Sequence, residues 1–488
     1  HEEASRTSRE AIWLGRGGPR AFVGGGLVPV FFFCALAFSG CGQGGQPNVP
    51  TKGEVLFLSD HEGLNRGFAW AKGQALAYAF EGDPVGKWFE AALPGREAFC
   101  MRDVSHQALG AMALGLQEHI KNMFRKFSEA ISPSRDWASY WEINRYDEPA
   151  PVDYRSDEDF WYNLPANFDV VRAMVQVYEW TGDRDYLHDP TFLAFYRHSL
   201  TDYVEAWDPD GDGIMESPPE NGIRGIPTYW EGEGPRAETG ADLIAAQAAA
   251  NMAFAKVLRL RGEGEAALPF QAATERLRRI YNDEWWNPET ARFNTAILPD
   301  GSFDQSPLPL GQIYPLYFGL VEEGPRREQV LAGLPDGGMV ELNAYLPEVF
   351  YRNGDYQRGF RALLDQLDPG LQRREYPEVS YTAVGHVVGM LLGVNPLASE
   401  GVIETKSRLT ESVRWGEVSH LPTIHNEIYL KHHGNTRSTL QNQEGPALTW
   451  RPVFPGSHAS LAVNGRARVA AIRHDPGEGP ERWIEVKR

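Results

Sequence analysis

The stretch from Trp207 to Ala255 reads WDPDGDGIMESPPENGIRGIPTYWEGEGPRAETGADLIAAQAAANMAFA. It leaves one helix, crosses an acidic, glycine-bearing loop, and reaches the bulky Tyr229-Trp230 pair beside carboxylates. It then enters a helix of small residues. A loop this long inside a compact domain is usually functional or disordered, and the aromatic content here argues against disorder. The unit predicts a helical scaffold that carries its chemistry on loops.

The same alternation of helix and loop extends from about Glu62 to Gly393. Residues 62–80 place Leu64, Phe68, Ala71, Ala75 and Tyr78 at helical spacing. Asp103 stands at a capping position before a helix over 103–130. Further helices are predicted over 165–181, 190–207, 240–261, 266–284, 311–321, 325–334, 340–352, 355–367 and 380–393. Strands do not alternate with helices, which disfavours a parallel doubly wound sheet. No strict short repeat points to a solenoid. Antiparallel helix hairpins closing into a toroid fit the pattern. After Leu392 short alternating segments such as HNEIYLKHH and ALTWRPV, with a hairpin signal at Asn464-Gly465, predict a small C-terminal β-sandwich. The expected fold class is mainly α, with residues 56–398 forming the helical domain and 399–488 the β-domain.

The 488 residues carry a formal charge of −19, which disfavours nucleic acid as a partner. Fourteen Trp residues exceed what a core alone needs, and such an excess often lines flat-ligand clefts. Near the start, Arg16 and Arg20 precede an apolar run that ends at Ser39-Gly40-Cys41. Residues 1–41 thus read as a secretory segment of the lipoprotein type, lipidated at Cys41, although Phe38 stands where Leu is usual. The run is shorter than the ~20 apolar residues of a membrane span. Residues 42–55 read as a flexible tether. The expected location is exported and facing the periplasm or cell exterior, with the membrane touched only through the lipid. Three cysteines, Cys34, Cys41 and Cys100, make no disulfide framework and no zinc or iron–sulfur spacing.

Cleaving a glycosidic bond without a metal requires two carboxyl groups, one protonated and one ionised. Glu231, directly after Tyr229-Trp230, is the leading candidate for the acid, since an aromatic neighbour desolvates a carboxyl and raises its pKa. Glu378, in the run from Arg374 to Glu378, is the candidate for the second group, with Glu375 as the alternative. An acid at a first helical turn also serves as a plain cap. The adjacent Arg102 and Asp103 can grip neighbouring sugar hydroxyls as donor and acceptor. Residues 145–169 mix acids, amides and aromatics, with Trp161 and Asn163 among them, in a pattern that suits either a sugar-binding wall or helix capping. Asp208, Asp210, Asp212, Ile214 and Glu216 place oxygen ligands at alternate positions around glycines, like the first half of a calcium loop. The twelfth-position Glu of such a loop is replaced by Pro219, so the alternative is an acidic turn.

In order along the chain, Arg102-Asp103, the Thr181–Leu187 turn, the acidic glycine loop, Trp230-Glu231 and Pro377-Glu378 resemble the six-hairpin glycosidases, and glucoamylase most of all. These are (α/α)6-barrel enzymes. The segment after Gly393 is similar to the C-terminal β-domain of rhamnosidase- and fucosidase-type members. The resemblance implies a glycosidase, inverting and exo-acting on an oligosaccharide. Glu231 would be its general acid and Glu378 its base, with Arg102, Asp103 and Trp230 at the terminal sugar. It implies no cofactor for the chemistry, leaving a structural calcium as the one expected ion. Gly232 departs from the family pattern, which has a second Glu directly after Trp-Glu. A lyase or phosphorylase on the same toroid is one alternative, with His106, Tyr154 and Arg155 available to a lyase. A non-catalytic glycan-binding lipoprotein is another.

Overall fold

The spacing read from residues 62–80 produces helix α1 (Glu62–Ala77), which buries Leu64, Phe68, Ala71 and Ala75 on one stripe. The structure is a computed structural model that describes residues 55–230, 236–306, 310–475 and 479–487. The expected helix over 103–130 is instead two. Gly115 takes φ +81° and turns the chain between α2 (Met101–Ala113) and α3 (Gln117–Glu129). There follow α4 (Ala166–Thr181), α5 (Pro190–Leu200), α6 (Ala241–Leu260), α7 (Gly264–Glu284), α8 (Leu310–Tyr317), α9 (Pro325–Gly333), α10 (Leu346–Arg352), α11 (Tyr356–Leu367) and α12 (Pro377–Gly385). The helix expected at 190–207 breaks at Thr201 and resumes over Asp202–Ala206, and the one expected at 340–352 breaks at Ala344–Tyr345.

Burial sorts these helices into two kinds. In α2 every residue but Arg102 is buried, and in α12 all nine are, so neither has a solvent face. By contrast, α3 buries only a stripe through Ile120, Met123, Phe124 and Phe127. The even-numbered helices touch in sequence, α2 to α4, α4 to α6, α6 to α8 and α8 to α10. From α10 the contact passes to the π-helical turn His386–Leu391 that prolongs α12, and from α12 back to α2. The inner contacts therefore close on themselves. Helix α6 is long and apolar enough to cross a membrane, but it is mostly buried inside this circuit.

Closure depends on two glycines. A Cβ on Gly110 of α2 would lie 1.8 Å from the Tyr381 carbonyl oxygen of α12, and one on Gly385 would lie 3.0 Å from the Gly110 nitrogen. The two helices run side by side in the same direction with their backbones nearly touching.

The strands form two larger sheets. In the first, β1 (Leu56–Ser59) pairs antiparallel with β4 (Trp415–Thr423), followed by β5 (Asn426–His433) and β6 (Arg437–Glu444). In the second, the order is β2 (Val394–Leu397), β3 (Val402–Lys406), β7 (Thr449–Pro455), β9 (Gly479–Trp483) and β8 (Ala471–Asp475), and Val486–Lys487 also pairs with β7. Alternate residues of β5, including Ile428 and Leu430, face the core. Residues 56–59, expected with the helical domain, instead pair with β4 and form the outer strand of this sheet. The expected boundary at 398/399 falls between β2 and β3, which are hydrogen-bonded to each other.

Gly110→Ala is expected to destabilise the protein by about 2 kcal/mol or more, since the added methyl overpacks backbone rather than a movable side chain. Gly73→Ala, on α1 with nothing near its Cβ position, serves as the control and is expected to stabilise by up to ~1 kcal/mol. Urea unfolding of the two variants checks this; equal midpoints would contradict the close approach.

Candidate active site

Where α2 begins, Arg102 and Asp103 point toward α12, and the Arg102 Nε donates to Asp103 Oδ1 at 3.2 Å. One turn on, His106 Nδ1 lies 2.7 Å from Glu378 Oε1. The parallel contact through Gly110 thus sets Glu378 of α12 beside all three α2 side chains. The His106 ring stacks on Tyr345 at 3.6 Å and 7°. Tyr314 of α8 meets the Tyr345 ring edge-on at 4.8 Å. The guanidinium of Arg172 lies over the Tyr317 ring at 4.4 Å and 3.9 Å from Glu348. Five inner helices therefore contribute to one cluster.

Burial dominates its electrostatics. It pushes the Glu378 carboxyl up to about 7, against the opposing pull of Arg102, and the nearby Glu341 adds to the rise. It raises Asp103 to about 6 against Arg102, and Asp169 to about 7 against the Tyr229 hydroxyl and Arg172. Glu378 is the second residue of α12, where a helix dipole favours a carboxylate, but desolvation outweighs this. His106 is driven down to about 3 by burial, with Glu348 pulling the other way. At neutral pH it is therefore an uncharged imidazole, and its contact with Glu378 is a hydrogen bond rather than an ion pair. Its Nε2 is buried without a partner.

The loop that carries Tyr229-Trp230 is pinned from two sides. The Tyr229 backbone N–H donates to Asp242 Oδ2 of α6 at 2.6 Å, and the Tyr229 hydroxyl donates to Asp169 of α4. Thr228 Oγ1 also donates to Asp242, at 3.0 Å. A side chain at Gly240 would collide with Asp242 and with the Pro227 carbonyl. Trp230 is half-buried. Glu231 lies outside the described residues, so the structure describes its anchor and not the carboxyl itself.

Two other expectations change. Asn163, expected on the substrate, is fully buried; it accepts from Trp161 Nε1 at 3.0 Å and donates to the Thr228 carbonyl at 2.7 Å. It positions Trp161 and the Tyr229 loop. Most of the patch around it is likewise spent inside the protein, with Asp153 on Arg96, Asp157 on Arg135, and Asn167 on the Trp137 carbonyl. Glu375 is exposed, and what the structure gives it is a backbone role, its carbonyl accepting from the Tyr78 hydroxyl at 2.6 Å. Of the two candidates for the base, Glu378 is the one in the cluster.

No protein-family model and no curated protein matches the sequence. Solved structures do match. A rhamnosidase of Bacillus sp. GL1 superposes with a TM-score of 0.59 at 14% identity over 79% of this chain and 41% of its own. The Streptomyces avermitilis alpha-L-rhamnosidase complexed with L-rhamnose gives 0.56 at 14% over 89% and 42%. The alpha-L-rhamnosidase from Dictyoglumus thermophilum gives 0.56 at 12% over 89% and 50%. The chain shares the six-hairpin glycosidase fold. It spans about two fifths to one half of the length of these structures, and at such identity the likeness establishes the fold alone.

The acidic loop gathers Asp208, Asp210, Asp212 and Glu216, one carboxylate oxygen from each lying within 4.8 Å of the others. Asp208 Oδ1 and Glu216 Oε2 are buried without a partner. Backbone N–H groups of Gly213 and Ile214 hold Asp208 at 2.7 Å and Asp212 at 2.6 Å. Gln247 of α6 ties the loop down through the Gly213 carbonyl at 3.0 Å.

Sequence reading missed Asp169, Asp242, Tyr314 and Tyr345. The two acids look like ordinary first-turn residues of α4 and α6, and the tyrosines like core positions. Only the closed circuit of inner helices brings them together.

The raised carboxyl of Glu378 has a consequence for stability. Unfolded, the group ionises near 4.5; folded, it ionises near 7. The folded state thus holds the extra proton between these values, and its stability falls as pH rises from about 4.5 to about 7. Glu378→Gln is expected to raise the melting temperature by on the order of a few °C at pH 8, with the gain disappearing below pH 4.5. Calorimetry at a fixed scan rate across that range checks it; a gain independent of pH would contradict the assignment.

Proposed function

We propose that the protein is a glycoside hydrolase built as an (α/α)6 toroid with a small C-terminal β-sandwich. One observation carries this reading: Glu378, buried and raised to about 7, faces the Arg102–Asp103 pair within the inner circuit. Such an arrangement supplies a carboxyl able to hold or release a proton near neutrality, next to a donor–acceptor pair matched to sugar hydroxyls. In this scheme Glu378 takes a proton from water as the oxygen attacks the anomeric carbon. Glu231, at the end of the pinned Tyr229-Trp230 loop, gives its proton to the departing glycosidic oxygen. Neutral His106 orients the Glu378 carboxylate by donating from Nδ1. Arg102, Asp103, Trp161 and Trp230 hold the terminal sugar. The reaction inverts the anomeric centre, for which the two carboxyls must stand ~6.5–9.5 Å apart. The chain would be exported and anchored through lipid at Cys41, outside the described residues, with an oligosaccharide as its partner.

We further propose that the acidic loop holds one structural calcium ion. Carboxylate oxygens at about 2.4 Å from a calcium lie up to ~5 Å apart across it, which the observed 4.8 Å span accommodates. Asp208, Asp210, Asp212 and Glu216 would bind it, with the carbonyl of Ile214 expected beside them. Held there, the ion would neutralise the loop that leads to Glu231.

Sugar release from a panel of oligosaccharides and aryl glycosides tests the catalytic reading, with terminal L-rhamnosides first because rhamnosidases share the fold. Glu378→Gln is expected to lower kcat by about 100-fold or more, and wild-type activity to fall as pH drops through about 7. Equal rates for the two proteins would sink the assignment of the base. Added phosphate that raises the rate and yields a sugar phosphate would reassign the reaction to phosphorolysis. For the ion, calcium titration is expected to give one saturable site that raises the melting temperature, and Asp208→Asn is expected to weaken it at least tenfold. A chelator without effect on stability, together with no binding heat, would remove the calcium.

A further inference from the structure

A cavity of about 350 Å³ lies where α4, α6, α7 and residues 318–320 meet, at the lower end of the ~300–1,000 Å³ of small-molecule pockets. Its charged lining residues are Arg172 and Glu179 of α4, Lys256 and Arg259 of α6, and Arg278 of α7. Four cations and one carboxylate thus share one cavity in a chain whose formal charge is −19. Gathering like charges costs energy, and the apolar contacts between these helices do not call for it.

The cations fall into two pairs. At one end the Arg172 guanidinium lies 5.2 Å from the Phe318 ring centroid, and Arg278 Nη2 donates to the Gly319 carbonyl at 3.4 Å, which sets both beside the same turn. At the other end Lys256 and Arg259 stand on neighbouring positions of one face, in the last turns of α6. Thr274 of α7 donates to the Ala248 carbonyl at 3.2 Å. Arg278, one turn further from the α6–α7 hairpin, therefore lies at or beyond the level of Ala248. From Ala248 to Lys256 the helix rises roughly 12 Å, so the cavity is extended. Between its ends Val175, Met252 and Ala253 form an apolar floor, with Met252 39% exposed.

Each end holds one engaged cation and one open one. Arg172 lies 3.9 Å from Glu348. Lys256 Nζ lies 2.6 Å from Glu179, the one carboxylate of the cavity. Glu179 also accepts from the Ser399 N–H at 3.0 Å and the Ser399 hydroxyl at 2.9 Å, so its oxygens are spent. Half-buried Arg278 has only the long bond to the Gly319 carbonyl, and Arg259 is exposed with no hydrogen bond or ion pair among the described residues. The α6 dipole favours a cation at Arg259 but gives its guanidinium no acceptor. The two open guanidiniums stand at opposite ends of an apolar floor.

We propose that this cavity binds a small extended dianion, with an oxyanion such as a carboxylate at each end of an apolar body. Arg278 and Arg172 take one oxyanion, Arg259 and Lys256 the other, through charge-assisted hydrogen bonds, and the body lies over Met252. The cavity touches the catalytic cluster only through Arg172 and contains none of the residues given a part in bond cleavage. It does not depend on the glycosidase reading.

Calorimetric titration of the full chain with octanedioate tests this at low ionic strength, where charges are least screened. Octanoate, butanedioate and octanediol are the comparisons. Octanedioate is expected to bind at one site, about tenfold or more tighter than octanoate, which engages one end, and butanedioate, which is too short to reach both. Arg259→Gln and Arg278→Gln are each expected to weaken octanedioate to the level of octanoate, and the double variant to abolish binding. Both side chains reach solvent, so the variants are expected to keep the wild-type melting temperature. Octanedioate that fails to bind, or binds no tighter than octanoate or butanedioate, would overturn the proposal, as would affinity that survives in the double variant. Octanediol binding as tightly as the diacid would overturn the anionic class. Glu378→Gln is expected to bind octanedioate as the wild type does; loss of binding there would move the ligand to the catalytic cluster and overturn the separate site.

Discussion

The backbone contact between α2 and α12 is the constraint on which the site depends. With hydrogen atoms alone at Gly110 and Gly385, the two helices come close enough for His106 to reach Glu378 at 2.7 Å. The same approach keeps water away from Glu378, and that exclusion raises its carboxyl. Any side chain at Gly110 would push α12 outward and return the carboxyl to solvent. Packing and chemistry are thus one feature seen at two scales.

Having drawn Asp103, Asp169, Asp242 and Glu378 into low dielectric, the fold supplies only partial compensation. Arg102 lies 3.2 Å from Asp103, and Arg172 counters Asp169, but each of the four carboxyls still sits above its ordinary value. A purely structural cluster would be expected to pair such acids fully or replace them with apolar residues. Incompletely compensated carboxyls at the centre of a helical circuit are the pattern of a site that trades stability for reactivity. Asp242 is the exception, since its two bonds to the Thr228–Tyr229 segment make it an anchor for the loop.

Most of the helical body was legible from spacing, because every expected helix between 62 and 393 has a counterpart. The errors have local causes. Gly115 splits one expected helix through a left-handed turn that sequence alone reads as a tolerated glycine. Residues 56–59 look like the approach to α1, but their partner is β4, more than 350 residues away, and no local pattern carries that pairing. In the site, Arg102, Asp103 and Glu378 were visible because they sit among aromatics and prolines at helix starts. Asp169, Tyr314 and Tyr345 were not, because inward-facing positions on buried helices resemble core or caps until the circuit closes. Asn163 misled for the opposite reason, being a polar residue in a promising patch whose hydrogen bonds are all internal.

The most direct test is the titration of the Glu378 carboxyl itself, followed by carbon-13 NMR of glutamate-labelled protein and assigned by comparison with Glu378→Gln. A midpoint near 7 is the value the buried geometry requires. A midpoint near the ordinary 4.5 would mean that water reaches the carboxyl, and the account of α2 and α12 as the frame of a catalytic centre would be wrong.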